Sequence, residues 1–405
     1  MKNKTTLLTN AFLATVFAVN LSSGQWQSQT SPTTQKLEAL YFTSPTTGFT
    51  SSSNTSQLYK TVDAGVTWAT VGAFSSRDLW FIDSNIGFAS SSIASASGTM
   101  KKTTNGGSAW TQITAPNSSS YLGVSATSAT NAYFINTEGK VIKTTNGGTS
   151  VTSYTLPLTT PSSQSLMDIF FVNATTGFVC AQGGQIFRTT NSGTSWTALT
   201  PNVGTSALNS LYFTDALTGY ATGSGGKVIK TTDGGTTWVD KSVPGNFAFN
   251  GVRFFDANVG LVVGLSGRIF RTMDGGDTWV QQASGTTEHL RSVFFLNATS
   301  AIIVGDAGTI LKNNDVLSEK DFVLKPVFSL APNPIDETSV LSVQNVEDFS
   351  ALSIEIYDVT GKLVKKDAIK SQHYNLSRSE FTPGVYVIKI KDGSGVLETQ
   401  KFIVK

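Results

Sequence analysis

One cysteine and two histidines in 405 residues leave little material for thiol or metal chemistry. Cys180 alone excludes an internal disulfide framework, and its place in the apolar run FVCAQ reads as a small buried hydrophobe. With only His289 and His373, a His/Cys zinc site lacks ligands. A Ser-His-Asp arrangement would have to use His289, and no nucleophile-elbow motif accompanies it. No metal and no cofactor is expected. Charge is also scarce, at 14% of residues and a net +2, so no polyanionic partner such as nucleic acid is implied. Long apolar runs are missing too. The stretch Leu7 to Leu21 contains Thr and Asn and is too short for a membrane span. It follows a basic start and ends in Ser22, Ser23 and Gly24, the layout of a secretory signal peptide over residues 1–24.

What the chain does have is repetition. KTTDGGTTW at 230–238 recurs as KTVDAGVTW at 60–68, KTTNGGSAW at 102–110, KTTNGGTSV at 143–151, RTTNSGTSW at 188–196 and RTMDGGDTW at 271–279, with a degenerate KNNDVLSEK at 312–320. The anchoring residues Asp63, Asn105, Asn146, Asn191, Asp233, Asp274 and Asp315 are spaced by 42, 41, 45, 42, 41 and 41 residues. Each period also carries an aromatic-rich run (LYF, LWF, IFF, VRFF, VFF), weaker in the third copy as GVSA at 123–126, a second apolar run such as TGYATGS and a short third run such as KVIKTT. A fourth segment starts at the Trp. Short β-branched and aromatic runs split by Gly, Asn and Asp turns are strands joined by hairpins. Four strands per period of roughly 42 residues make one blade of a β-propeller.

The turn itself reads as structural. Its Asp can accept backbone N–H groups, its glycines supply positive φ, the hydroxyls of Thr231 and Thr236 can tie the two arms, and the Trp buries a ring at the base of the fourth strand. Asn replaces Asp at 105, 146 and 191, a change that a metal ligand or acid catalyst would not tolerate. A phosphate loop lacks its Gly-Lys-Ser/Thr ending, and an EF-hand lacks its spaced acids. The pattern [ST]-x-[DN]-x-G-x-[ST]-W resembles the Asp-box, or bacterial neuraminidase repeat, with Val151 for Trp in the third copy and Ala109 for the hydroxyl in the second.

The seventh copy is not followed by a Trp segment. GQWQSQTSP at 24–32 is similar to TWVQQASGTT at 278–287, so Trp26 is expected to supply the missing outer strand from the N-terminus, closing the ring and hiding its edges. Trp26, Trp68, Trp110, Trp196, Trp238 and Trp279 then occupy equivalent places, and Trp80 alone falls outside the set.

Past about residue 322 the period stops and alternating strands take over, with turns at Pro332–Pro334, Thr360–Gly361 and Pro383–Gly384. A small antiparallel β-sandwich fits. Pro332-Asn333-Pro334, Ile356-Tyr357-Asp358 with Gly361-Lys362, Gly384-Val385-Tyr386 and the terminal Lys401 to Lys405 resemble the C-terminal sorting domain of the type IX secretion system. That resemblance implies a partner in the secretion machinery and export, either into the medium or to the outer-membrane surface. The chain is therefore expected to be all-β: a signal peptide at 1–24, a seven-bladed β-propeller at 25–319 and a sorting-domain sandwich at 320–405, monomeric and without a membrane-spanning segment.

Candidate site residues follow from the register. The first strand of each blade should line a central channel, so the residues just ahead of each first-strand run ring its mouth. They form an outer ring of Glu38, Arg77, Leu122, Met167, Asn209, Asn250 and Arg291, and an inner ring of Ala39, Asp78, Gly123, Asp168, Ser210, Gly251 and Ser292. The long connection 153–168 adds Tyr154. The binding candidates are Glu38, Arg77, Asp78, Tyr154, Asp168, Asn209, Asn250 and Arg291; the plain alternative is that these groups solvate a channel mouth. A sialidase would need an arginine cluster. Of Arg77, Arg188, Arg268, Arg271 and Arg291, the slots before the box and at a third-strand start account for three, leaving Arg77 and Arg291, too few. Another glycosidase would need opposed carboxylates, for which Asp78 and Asp168 are available. The repeated texture of LYFTDALTGYATGSGGKVIKTTDGGTTW over about 25–315 resembles the photosystem II assembly and stability factor family, which implies a non-catalytic propeller that binds a partner polypeptide. The sorting domain points away from photosynthesis. The ligand is expected to be a protein or a glycan.

Overall fold

The computed structural model describes residues 26–52, 55–91, 99–159, 165–201, 203–204, 206–243, 245, 247–317, 327–344, 349–350, 352–392 and 395–405. The signal-peptide reading of 1–24 lies outside them. The described residues fall into two compact units, within 1–321 and within 322–405.

Seven four-stranded antiparallel sheets make up the first unit. Their inner strands are Leu37–Phe42, Asp78–Phe81, Tyr121–Ala126, Leu166–Phe171, Leu208–Phe213, Phe249–Phe254 and Leu290–Phe295. Each neighbours the next, and the seventh neighbours the first, so the sheets form a closed ring. Burial grades outward as the composition demands. Second strands such as Gly260–Gly264 are buried at every residue because neighbouring sheets cover both faces, whereas outer strands such as Ala69–Gly72 are largely exposed. Five of the seven second strands open on a glycine, the other two on Ala132 and Ala301, and the glycine has a packing reason. A Cβ on Gly219 would stand 2.3 Å from the ring of Phe213, the last residue of its own inner strand.

The ring closes as the Trp pattern predicts. Gln27–Ser28 pairs with Ile310–Asn313, Gln27 opposite Lys312, and so provides the outer strand of the seventh sheet. Trp26 is 4% exposed, and its Nε1 donates to Gln282 Oε1 at 3.0 Å, bridging 256 residues of sequence.

The Asp-box satisfies its own polar groups. In the fifth copy Thr231 Oγ1 donates to Asp233 Oδ1 at 2.9 Å and accepts from Gly235 N at 2.8 Å, while Asp233 accepts from Thr237 N at 2.8 Å and Thr237 Oγ1 at 2.7 Å. The second arm is thus tied to the carboxylate by Thr237; Thr236 instead donates to Asp233 O at 3.1 Å. The chain reverses through Gly234 and Gly235 at φ 67° and 82°. At two of the three Asn copies the roles invert without loss: Asn146 Nδ2 donates to Ser150 Oγ and Asn191 Nδ2 to Ser195 Oγ, both at 2.8 Å, whereas Asn105 stands opposite Ala109, which has no hydroxyl. The basic residue before the box reaches the adjacent sheet. Lys60 Nζ donates to Gly106 O, Arg188 Nη1 to Gly234 O (both 2.9 Å) and Lys312 Nζ to Ala64 O at 3.0 Å, the last across the closure.

The second unit packs a three-stranded sheet (Val327–Ala331, Ser339–Gln344, His373–Leu376) against a four-stranded one (Ser353–Asp358, Leu363–Ala368, Gly384–Asp392, Gly395–Val404). Leu341, Val343 and Leu376 from the first sheet and Ile354, Ile356, Ile388, Ile390 and Phe402 from the second form one buried core, as the alternating pattern requires.

Candidate functional site

All seven inner strands contribute to a cavity of about 340 Å³. Most of them carry a β-bulge near their start, for example between Leu166 and Asp168, Leu208 and Ser210, Phe249 and Gly251, and Leu290 and Ser292. The extra residue in each bulge has no cross-strand partner and is re-aimed. Those residues are Met167, Asn209, Asn250 and Arg291, and with Glu38, Arg77 and Leu122 they line the cavity. Asp78 and Asp168 line it as well, one step further along the strands.

Tyr154 does not. It lies in the outer strand Thr152–Thr155, opposite Val141, and is absent from the cavity wall. Val151 replaces the Trp that marks the start of that strand elsewhere, so the strand reads as part of the following loop. Gly123 is also displaced, with Val124 taking the place on the wall.

Most of the expected mouth groups are committed to the scaffold. An inner strand has a sheet partner on one side only, so its other edge needs capping. Asp78 Oδ2 accepts from Val124 N of the next sheet at 2.9 Å and its Oδ1 from Leu79 N at 2.8 Å. Asp168 repeats this with Leu211 N at 2.8 Å and Ile169 N at 2.7 Å, and adds Ser210 Oγ at 3.1 Å. Asn209 Nδ2 donates to Phe249 O at 2.7 Å, and Asn250 Nδ2 to Leu290 O at 2.8 Å. Glu38 is buried and pairs with Lys36 at 2.7 Å and Arg77 at 2.8 Å. Arg291 makes a bidentate pair with Asp306 at 2.8 and 2.7 Å. Polar residues at the mouth therefore tie five of the neighbouring sheet pairs together, whereas Arg291 and Asp306 pair within the seventh sheet.

Burial pushes the carboxyls of both Asp78 and Asp168 up from the ordinary range, and the charge of Asp168 adds to the effect on Asp78. The backbone N–H groups they accept, and Arg253, pull the other way. Cys180 is buried, with its thiol pushed well up by desolvation, and acts as a hydrophobe.

Arg253 is the charged cavity residue that the register of the repeats does not point to. It sits inside the run VRFF, where five of the other repeats carry Tyr, Trp or Phe and the third carries Ser125, and it is not among the arginines counted above. Its guanidinium lies 4.4 Å from the Phe294 ring centroid and 5.0 Å from that of Tyr212, and it lines the cavity with Tyr41, Trp80 and Phe170. Among the described residues it has no hydrogen-bond partner. Trp80, the one Trp outside the repeat set, was the signal available in the sequence.

The family model for photosynthesis system II assembly factor YCF48 matches residues 18–155. The ring resembles that family. The model for a secretion system C-terminal sorting domain matches residues 329–405, which implies handling by the type IX machinery and export. The solved YCF48 from Cyanidioschyzon merolae is 20% identical with a TM-score of 0.59, covering 72% of this chain and 98% of its own. A YCF48 structure bound to D1 peptide is 20% identical with a TM-score of 0.57 and the same coverage. The Niastella koreensis GH74 enzyme is 15% identical with a TM-score of 0.63, covering 92% of this chain and 69% of its own. At such identities the structural likenesses establish the propeller fold alone. No curated protein matches the chain.

Proposed function

We propose that this protein is an exported, non-catalytic binding scaffold that takes a protein or glycan ligand in the central cavity of its ring, outside the cell. The observation that carries the reading is the division of labour in the cavity. The carboxylates of Asp78 and Asp168 hold backbone N–H groups of adjacent inner strands, while Arg253 and the rings beside it are left for a ligand. The sorting-domain match supports export, followed by release or attachment at the surface. The YCF48 structure with a D1 peptide supports binding by this kind of ring, and the sorting domain argues against a photosynthetic role here.

A second reading is glycoside hydrolysis by Asp78 and Asp168. It draws on two carboxyls raised by burial in one cavity and on the GH74 likeness. The double change Asp78→Ala, Asp168→Ala separates the two. Incubated with mixed surface glycans, a hydrolase shortens them and the double variant does not. A binding scaffold leaves them intact in both forms.

A further inference from the structure

Six of the seven inner strands place a large side chain at one level of the channel, and these form a closed belt. Trp80 lies 6.2 Å from Tyr41, Tyr41 5.3 Å from Phe294, and Phe170 5.3 Å from Tyr212 and 5.5 Å from Trp80, measured between ring centroids. Arg253 closes the circle between Tyr212 and Phe294. In the third sheet the equivalent residue is Ser125, whose Oγ accepts from Phe171 N at 3.1 Å, so Trp80 reaches past it to Phe170. The belt rings are half-buried rather than sealed in the core. Three of them, with Arg253, line the cavity that Asp78 and Asp168 also line.

Resting on the binding reading above, we infer that this cavity holds an uncharged sugar residue of a glycan, its C–H face against Trp80 and its hydroxyls bonded by Arg253. The alternatives fit the chemistry less well. A peptide adding itself as a strand needs free edge N–H and C=O groups. Here Asp78, Asp168, Ser125, Asn209 and Asn250 already occupy several of them. An anionic ligand would meet two carboxyls, while the other mouth arginines, Arg77 and Arg291, are paired with Glu38 and Asp306. A cationic ligand would find its place among the rings taken by Arg253. What remains is a compact, uncharged group with one apolar face and many hydroxyls. The guanidinium offers five donors held in one plane. Small-molecule pockets span about 300–1,000 Å³. At about 340 Å³ this one suits a chain end or a branch rather than a long run of sugars.

The test is calorimetric titration of the full chain with cellohexaose, xylohexaose, mannohexaose, chitohexaose and maltohexaose, alongside a galacturonate hexamer and a pool of extended peptides. The inference expects binding of at least one neutral hexaose. Trp80→Ala and Arg253→Leu should each weaken it by about tenfold or more, whereas Trp80→Phe should hold it within about threefold. Unchanged thermal unfolding of the variants shows that the ring is intact; if Trp80→Ala fails to fold, Trp80→Phe against Arg253→Leu gives the same comparison. Binding that ignores both Trp80→Ala and Arg253→Leu overturns the assignment. So does binding of only the galacturonate hexamer or the peptides, although the scaffold reading then stands. Shortened hexaoses overturn the scaffold reading itself.

Discussion

Replacing Trp26 by Ala should loosen the whole ring, although the residue lies at its N-terminal edge. Trp26 is 4% exposed and packs with Val259, Leu261, Val263, Ile269, Leu290 and Leu311 in one core. Truncating a buried Trp costs about 3–5 kcal/mol. Losing the Nε1 bond to Gln282 adds about 1 kcal/mol, for a total of about 4–6 kcal/mol. In a unit this large, each kcal/mol shifts the midpoint by about 2 °C, so the ring transition should fall by about 8–12 °C. Trp26→Phe keeps most of the packing and loses the bond, so it should cost about 1–2 kcal/mol and 2–4 °C. The assay is calorimetric unfolding of the full chain, with the ring and sandwich transitions fitted separately because two compact units need not melt together. A Trp26→Ala ring transition within about 2 °C of the parent would refute the closure argument, since the N-terminal strand would then contribute nothing to the seventh sheet.

Gly219→Ala should destabilise the ring by about 1–3 kcal/mol because its Cβ meets Phe213 at 2.3 Å; a midpoint unchanged in thermal unfolding would count against that packing. The Asp-box carboxylates predict an acid limb. Hydrogen bonds from Thr67 and Thr237 hold Asp63 and Asp233 down to about 2. For Asp274, partial burial works upward, but the Thr278 hydroxyl and N–H outweigh it and hold it at about 2. Their stabilisation is present above the ordinary carboxylate value and is lost as the pH falls through about 2, so Asp63→Asn, Asp233→Asn should flatten denaturant stability over that window. Asp78 and Asp168 act with the opposite sign. Their folded values are raised, so the folded state holds more protons, and stability declines as the pH rises from the ordinary carboxylate value toward neutrality. The paired Asn variants at those positions should lose that decline, and a slope identical to the parent's would contradict the burial argument.

The repeat was legible because each Asp-box closes its own hydrogen bonds locally, so a nine-residue phrase suffices to mark a blade. The N-terminal closure was legible for the same reason: GQWQSQ carries the outer-strand signature that KNNDVLSEK lacks. The alternating C-terminal runs announced the sandwich. The cavity was only half legible. Counting back from the aromatic runs located Glu38, Arg77, Asn209, Asn250 and Arg291 on its wall, but the ties that Asn209 and Asn250 make to the next sheet depend on bulges that leave no local sequence mark. Arg253 was hidden because it departs from the repeat where its neighbours obey it, and a departure from a repeat at the channel is where function should be sought. Tyr154 was misplaced because Val151 erased the marker of its strand.

On the proposed function, this ring holds a ligand without altering it. Native mass spectra of the full chain incubated with a mixed pool of surface glycans and peptides, followed over time, test it most directly. Persistent adducts of unchanged ligand mass, diminished in Arg253→Leu, are the expected result. Glycans shortened over time in the presence of the parent chain, and spared by Asp78→Ala, Asp168→Ala, would contradict it.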